Sequence, residues 1–284
     1  MSSHEFEIDG ISKSYRGRPA LEDLSLSIPK ASLTILLGAN GSGKSTLLKC
    51  IAGHQNWDRG TITRRNRQRT SDHQNFNQGL HLISEDIMPP MLSLKNLKTV
   101  YAELFGSWNE MTFQRLISYG RLDENRDLQS YSRGQRIQAI IALTIATDPE
   151  TLLIDEVTAV LDPYIRNRFF QEMVKLVETI GTTLVIATNI ATELTKLKGR
   201  LIIMDRGQIA LDIQAKDISQ IFIKIRTRTE LASTTGFTFL ETNIDGLQTY
   251  IGKQEAVTTI DIPFEADRRG LTPAEVFAHY SERK

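Results

Sequence analysis

The chain has 284 residues, 40% hydrophobic and 24% charged, with 34 Lys and Arg balanced by 34 Asp and Glu. That is enough chain for a full core in one large domain plus a smaller one, and zero net charge excludes a bulk field drawing it to nucleic acid or acidic lipid. A single cysteine excludes an internal disulfide and fits a reducing compartment. The start, M-S-S-H-E-F-E-I-D, has no basic cap followed by an apolar stretch, so no signal peptide is expected. The longest apolar runs (Leu33 to Leu37, Leu184 to Ala187, Leu201 to Met204) are strand-length, far short of a membrane span.

Residues 5 to 28 alternate as strands do, around a polar turn that carries Tyr15. An aromatic ring there is either a stacking platform for a planar base or a cap on the edge of the sheet. Leu33 to Leu37 then form an apolar strand that runs through Gly38, Asn40, Gly41 and Gly43 into a helix opening at Lys44-Ser45-Thr46. The glycines let the backbone curl so that N–H groups face phosphate oxygens, and the helix presents its positive end to the same anion. Lys44 is placed to reach the β- and γ-phosphates, and the Ser45 hydroxyl to ligate Mg²⁺. Cys50, in phase with Leu47 and Ile51, reads as a small buried hydrophobe, and Gly53 as the C-cap.

Arg64, Arg65, Arg67 and Arg69 lie in a polar stretch over 54–79 and read as the solvated face of a hairpin rather than a nucleic-acid site, given the zero net charge. Strand-like Leu80 to Ile83 ends at Ser84-Glu85-Asp86, and Pro89-Pro90 marks a break. From Leu94 to about Asn125 the apolar spacing turns helical, an insertion between two strands. Ser132 is placed as the N-cap of a helix that buries Ile137, Ile140, Ile141 and Leu143 and ends at Asp148-Pro149.

Thr151 to Glu156 is a buried strand whose last two residues switch to carboxylates. This suits a parallel sheet with a site at its carboxyl edge, Asp155 holding Mg²⁺ through water and Glu156 polarising the attacking water. A helix over about Asp162 to Ile180 closes at Gly181, a strand runs over Thr182 to Thr188 and ends at Asn189, and Leu201 to Asp212 reads as a hairpin turning at Arg206-Gly207. The tail alternates at Ile221 to Ile225, Phe237 to Leu240 and Ala256 to Ile260, and ends in a helix with a capping box at Thr272 and Glu275.

These pieces, in this order, resemble an ABC transporter ATP-binding subunit over about residues 4 to 212. G-A-N-G-S-G-K-S-T is similar to that family's Walker A, T-L-L-I-D-E to its Walker B with catalytic glutamate, A-V-L-D (Ala159 to Asp162) to its D-loop, and Y-S-R-G-Q to its signature. The resemblance implies an α/β P-loop fold: a RecA-like parallel-sheet core, an N-terminal antiparallel β region and a helical subdomain at about 86–148, within an ATP-binding domain over 1–212. A small α/β accessory domain over 213–284 follows. It implies ATP and Mg²⁺ as cofactors, with Ser45, Glu85 and Asp155 toward the metal.

Ser132, Arg133, Gly134, Gln135 and Asp162 would meet the nucleotide of a second ATPase subunit, docked head to tail. Transmembrane subunits would sit in the cleft beside residues 85 to 101, with the chain peripheral on the cytoplasmic face of the membrane. The compact single domain, the short insertion and the Ser-Arg-Gly form of the signature look most like ATPases of ABC-2-type exporters. Two positions depart from the pattern: Glu85 stands for the Q-loop glutamine and Asn189 for the switch histidine. Asn189 can donate a hydrogen bond but cannot relay a proton, so slow turnover at the chain's own site and a heterodimeric partner with the histidine are expected. A regulatory or non-transport ABC protein that binds ATP as a clamp with little hydrolysis is the alternative, and a homodimer is the second arrangement.

Overall fold

The computed structural model describes residues 3–69, 74–84, 91–190, 199–228, 231, 237–242, 247–253 and 266–281. The chain divides into two compact units, 1–189 with 204–209 and 190–203 with 210–284.

The first unit opens with β1 (His4–Tyr15) and β2 (Arg18–Pro29), an antiparallel pair with Ile8 opposite Leu26 and Tyr15 opposite Arg18. Arg16 and Gly17 turn between them at φ of 50° and 78°, the left-handed geometry that matches strand twist. β3 (Leu33–Leu37) is buried at all five positions, and α1 (Lys44–Ala52) follows, its C-cap Gly53 left-handed. β4 (Arg59–Arg64) and β5 (Arg67–Gln68) join the first pair in a sheet of order β2-β1-β4-β5.

A short α2 (Gln74–Asn77) precedes β6 (Leu80–Ser84). The helical insertion is present as α3 (Leu94–Phe105) and α4 (Glu110–Tyr119), capped by Ser93 and Asn109, which accept from the backbone N–H groups of Asn96 and Thr112. α5 (Arg133–Ile145) leads to β7 (Thr151–Asp155). α6 (Pro163–Lys175) widens into a π-helical turn over Leu176–Ile180, and Gly181 caps it before β8 (Thr183–Thr188). β9 (Arg200–Asp205) and β10 (Gln208–Gln214) form the expected hairpin, with Arg206 and Gly207 at φ of 47° and 80°.

Within the first unit β3, β8, β7 and β6 lie side by side in that order, and the pairs β3–β8, β8–β7 and β7–β6 are parallel. β3, β7 and β8 are buried along their whole length, as a parallel sheet covered on both faces requires. Cys50 is fully buried in α1, and burial pushes its thiol up to about 11, so it behaves as the small hydrophobe the spacing indicated.

The arginine run corrects the expectation of a solvated face. Arg67 is exposed, but Arg64 and Arg69 are buried. Arg64 Nε donates to Oε1 of the fully buried Glu5 at 2.6 Å, its Nη1 to the carbonyls of Phe76 (2.6 Å) and Gln78 (2.8 Å), and its Nη2 to Thr151 Oγ1 at 3.2 Å. Arg65 takes the other Glu5 oxygen at 2.7 Å. Burial pushes the Glu5 carboxyl up, but hydrogen bonds from Arg65, Thr151 and Arg64 outweigh it and hold the group below its ordinary range. Arg69 donates to the carbonyls of Cys50 (2.8 Å) and Gly53 (3.1 Å), closing the C-terminal end of α1. Charge at Arg64 and Arg69 is inside because it satisfies backbone carbonyls and, at Arg64, the buried Glu5 carboxylate.

In the second unit a short α7 (Ile218–Ile221) leads into an antiparallel sheet of β11 (Phe222–Thr227), β12 (Phe237–Thr242), β13 (Gln248–Lys253) and β14 (Asp267–Gly270), in the order β12-β13-β11-β14. Ile223, Ile225, Leu231 and Tyr250 form its core, with Ala266 packed against them. α8 (Pro273–Ser281) carries the expected capping box: Thr272 N–H donates to Glu275 Oε2 at 3.0 Å, and Glu275 N–H to Thr272 Oγ1 at 3.4 Å. Two expected strands shift to Phe222–Thr227 and Phe237–Thr242, Ala256 to Ile260 lies outside the described residues, and β13 and β14 are additions.

Candidate functional site

The parallel register assembles the site. Leu37 pairs with Thr188, Asp155 with Ala187, and Ser84 with Asp155, so the phosphate loop, Glu156 and Asn189 leave the sheet at one carboxyl edge. Glu85, one residue past β6, lies outside the described residues.

Gly43 shows why the loop needs glycine. It sits at φ 105°, and a Cβ there would come within 2.5 Å of the Ala20 carbonyl oxygen. As N-cap of α1 it supplies no side-chain acceptor. The first-turn N–H groups of Lys44, Ser45 and Thr46 have no intrahelical acceptor and, with the helix dipole, favour an anion. At Gly41, φ 84°, nothing lies within 4 Å of where a Cβ would be, so the loop is open on that side.

Lys44 is 3% exposed, and its Nζ donates to the carbonyls of Gly38 (2.8 Å) and Ala39 (3.2 Å) and pairs with Glu156 Oε1 at 2.9 Å. Glu156 has a left-handed φ of 54°, unusual for a residue with a side chain, and its N–H donates to the Ala187 carbonyl at 3.0 Å. Ser45 Oγ donates to Asp155 Oδ1 at 2.9 Å. Burial pushes the Asp155 carboxyl above its ordinary value, the Glu156 charge adds to that, and the Ser45 bond works against it.

A hydroxyl and a carboxylate side by side are hard oxygen donors that fit Mg²⁺, which takes one or two protein ligands and completes its shell with phosphate and water. No group of three or more His, Cys, Asp or Glu able to hold a metal occurs among the described residues.

Tyr15, Ala20, Asn40, Gly41, Gly43, Lys44, Ser45, Thr46 and Glu156 line one open cleft. The Tyr15 ring, 43% exposed, stands at its rim. Ala20 was not singled out from the sequence; the Arg16-Gly17 turn carries β2 back past the loop and is the signal that places it. Asn189 sits beside the loop, its Nδ2 donating to Asn40 Oδ1 at 3.1 Å.

Ser132, Arg133, Gly134, Gln135 and Asp162 do not line this cleft. Ser132 caps α5 in a capping box, accepting from Gln135 N–H at 3.3 Å while Gln135 Oε1 accepts from Ser132 N–H at 3.1 Å. A Cβ on Gly134 would approach the Val160 carbonyl oxygen to 3.1 Å, so this helix start packs closely on the turn before Asp162. Asp162 caps α6, accepting from Tyr164 N–H at 2.9 Å.

The ABC transporter family profile matches residues 21–159. The chain is 32% identical over 246 residues to the putrescine transport ATP-binding protein PotG of Escherichia coli, covering 78% of this chain and 59% of that protein. It is 32% identical to the sulfate/thiosulfate import ATP-binding protein CysA of Vibrio cholerae, covering 71% of this chain and 56% of that one. The chain thus spans less than two thirds of the length of these relatives. Among solved structures, a dimeric ATP-binding cassette in a post-hydrolysis state with ADP and Pi superposes with a TM-score of 0.63 at 21% identity, over 74% of this chain and 98% of that one.

Proposed function

Because this chain carries an ATP-binding domain of the ABC transporter family, we propose that it seats MgATP in its own P-loop and completes that site against the signature of a second such domain. Closure and reopening of the pair would then drive transport through separate membrane-spanning subunits. The observation that carries this is the convergence at one sheet edge of Lys44, Ser45, Asp155 and Glu156, with Lys44–Glu156 and Ser45–Asp155 contacts both at 2.9 Å. The residues Ser132 to Gln135 and Asp162 lie outside the chain's own cleft, which favours their use on a partner's nucleotide. The capping bonds of Ser132 and Gln135 are the ones a phosphate would replace there. In this reading residues 1–212 form the ATP-binding domain, 86–148 its helical subdomain and 213–284 an accessory domain.

No helix among the described residues is long and apolar enough to cross a membrane, and the proposed place is peripheral, on the cytoplasmic face beside the transmembrane subunits. Export is the proposed direction, from the compact domain and the Ser-Arg-Gly signature; import is the second reading, favoured by the sulfate/thiosulfate relative.

Hydrolysis at this chain's own site is slow in this proposal. Asn189 holds no titratable proton, and its amide already donates to Asn40. General acid–base groups contribute roughly 10² to 10⁴ in rate. A second ATPase bearing a histidine at the corresponding position would supply the faster half of a heterodimer. The regulatory-clamp reading rests on the same Asn189–Asn40 bond. The test is MgATP turnover by the purified chain, alone and with its co-purifying subunits, with and without Asn189→His. A slow wild type accelerated by the substitution supports the reading, and a wild type as fast as the substituted chain overturns it.

A further inference from the structure

Tyr15 is the last residue of β1, paired with Arg18 of β2, and the strand loses its β4 neighbour before reaching it. The β1–β4 ladder reaches Ser12, paired with Arg59, and goes no further because β4 begins there. On the other side Ser14 faces Pro19, which has no N–H to donate. That end is therefore laddered on its β2 side alone, and a ring left to move there would be ordered only at an entropic cost on binding.

Asp58 replaces the missing ladder. Its N–H donates to the Ser12 carbonyl at 2.8 Å, its Oδ2 accepts from Ser14 N–H at 2.8 Å, and its Oδ1 accepts from Lys13 Nζ at 2.9 Å. Lys13 Nζ in turn lies 5.5 Å from the centroid of the Tyr15 ring, a cation–π distance. Beside Asp58, Trp57 donates from Nε1 to the Gly60 carbonyl at 2.9 Å and lies 4.8 Å from the guanidinium of Arg69. Arg69 is bonded to the carbonyls of Cys50 and Gly53 at the end of α1, the helix whose other end is the phosphate loop. One connected set of contacts therefore joins the phosphate helix to the rim where Tyr15 stands.

We propose that Asp58 is a positioning residue for the base of the nucleotide, fixing the Ser12–Tyr15 end of β1 so that the Tyr15 ring is pre-set for adenine stacking at the right distance from the P-loop. The inference rests on Tyr15 being the base platform. The bonds from Lys13 and the Ser14 N–H hold the Asp58 carboxyl below its ordinary range.

The experiment compares MgATP with Mg²⁺–tripolyphosphate, which has the phosphates but no base, by calorimetry on the full chain. Tyr15→Ala weakens MgATP binding about tenfold or more, the scale of one base–aromatic stack. Asp58→Ala weakens it by about tenfold, and Asp58→Asn, which keeps one acceptor, by about threefold. Tripolyphosphate binds all of them within about twofold of wild type, which also reports that the loop is still folded. The double variant Tyr15→Ala with Asp58→Ala binds MgATP no worse than Tyr15→Ala alone, because the clasp acts only through the ring.

Equal losses of both ligands in Asp58→Ala, or losses that multiply in the double variant, assign Asp58 to the general fold and overturn the inference. Normal MgATP binding by Asp58→Ala beside a weakened Tyr15→Ala does the same. Normal binding by Tyr15→Ala removes the platform itself and, with it, any role for Asp58 through the ring.

Discussion

Lys44 and Glu156 meet at 2.9 Å across the floor of the cleft, the lysine almost wholly buried and the glutamate on a left-handed backbone. Each neutralises the other, so a triphosphate entering the loop competes with Glu156 for Lys44 as well as bonding the loop. Glu156→Gln removes that competitor. MgATP is expected to bind the Gln variant more tightly by up to about fivefold, the range of a partly exposed ion pair, while turnover falls by about a hundredfold or more. Equilibrium binding of a fluorescent ATP analogue together with phosphate release measures both; weaker binding would show that the pair supports the site rather than competing for it.

Asp155 gives a prediction in which stability and function move in opposite directions. Burial raises its carboxyl above the ordinary value, so the folded protein holds that proton more tightly than the unfolded chain does. Between the unfolded and folded pKa the native state therefore binds more protons, and stability falls as pH rises through that window. At neutral pH the ionised group is a net cost, unless a cation pays it back. Asp155→Asn is expected to raise the melting temperature of the nucleotide-free protein by about 2–4 °C, the shift that about 1 kcal/mol gives at this size. The same change weakens the Mg²⁺ dependence of ATP binding. Thermal melts with and without MgATP test both halves, and a variant that melts lower in the absence of nucleotide contradicts the account.

The Glu5–Arg64 pair separates buried from exposed charge within one arginine run. Glu5 is fully buried, and Arg64 spends its donors on Glu5, Thr151 and two carbonyls. Glu5→Ala strands Arg64 in a dry site and is expected to cost about 3 kcal/mol, as removal of one partner of a buried pair does. Arg67→Ala, on an exposed position three residues away, changes stability by less than about 0.5 kcal/mol. Urea midpoints decide, and equal effects at the two positions would contradict the assignment.

That pair also shows where the sequence stops being readable. The phosphate loop is legible because each of its residues answers a local need: glycine at Gly43 for a left-handed turn under the Ala20 carbonyl, apolar residues in β3, a helix start at Lys44. Arg64 answers a need 59 residues away in Glu5, and nothing in the local pattern distinguishes it from Arg67. The Asn189–Asn40 bond spans 149 residues and depends on the parallel register of β3 and β8. In the tail, β14 reads D-R-R-G, with no apolar residue to mark a strand, and its strand geometry comes from pairing with β11. The helix α8 was legible because its capping box lies within four consecutive residues.

Glu275, at the start of α8, gives the clearest acid-sensitive contact in the second unit. Burial pushes its carboxyl up, but the hydrogen bonds from Arg269 and Thr272 outweigh it and hold the group at about 2, against an ordinary 4.5. Lys224 Nζ lies 3.3 Å from the same carboxylate. With the folded pKa depressed, the unfolded chain binds the extra proton, so this stabilisation is fully present above about 4.5 and is lost as pH falls toward 2. Glu275→Gln removes the titrating group while keeping an acceptor for the cap. Relative to wild type the variant is expected to be less stable near neutral pH, with the gap closing between about pH 4.5 and 2. Hydrogen exchange of the β11 and β14 amides across that range measures the second unit directly, and a gap that stays constant with pH would assign the contact to packing rather than charge.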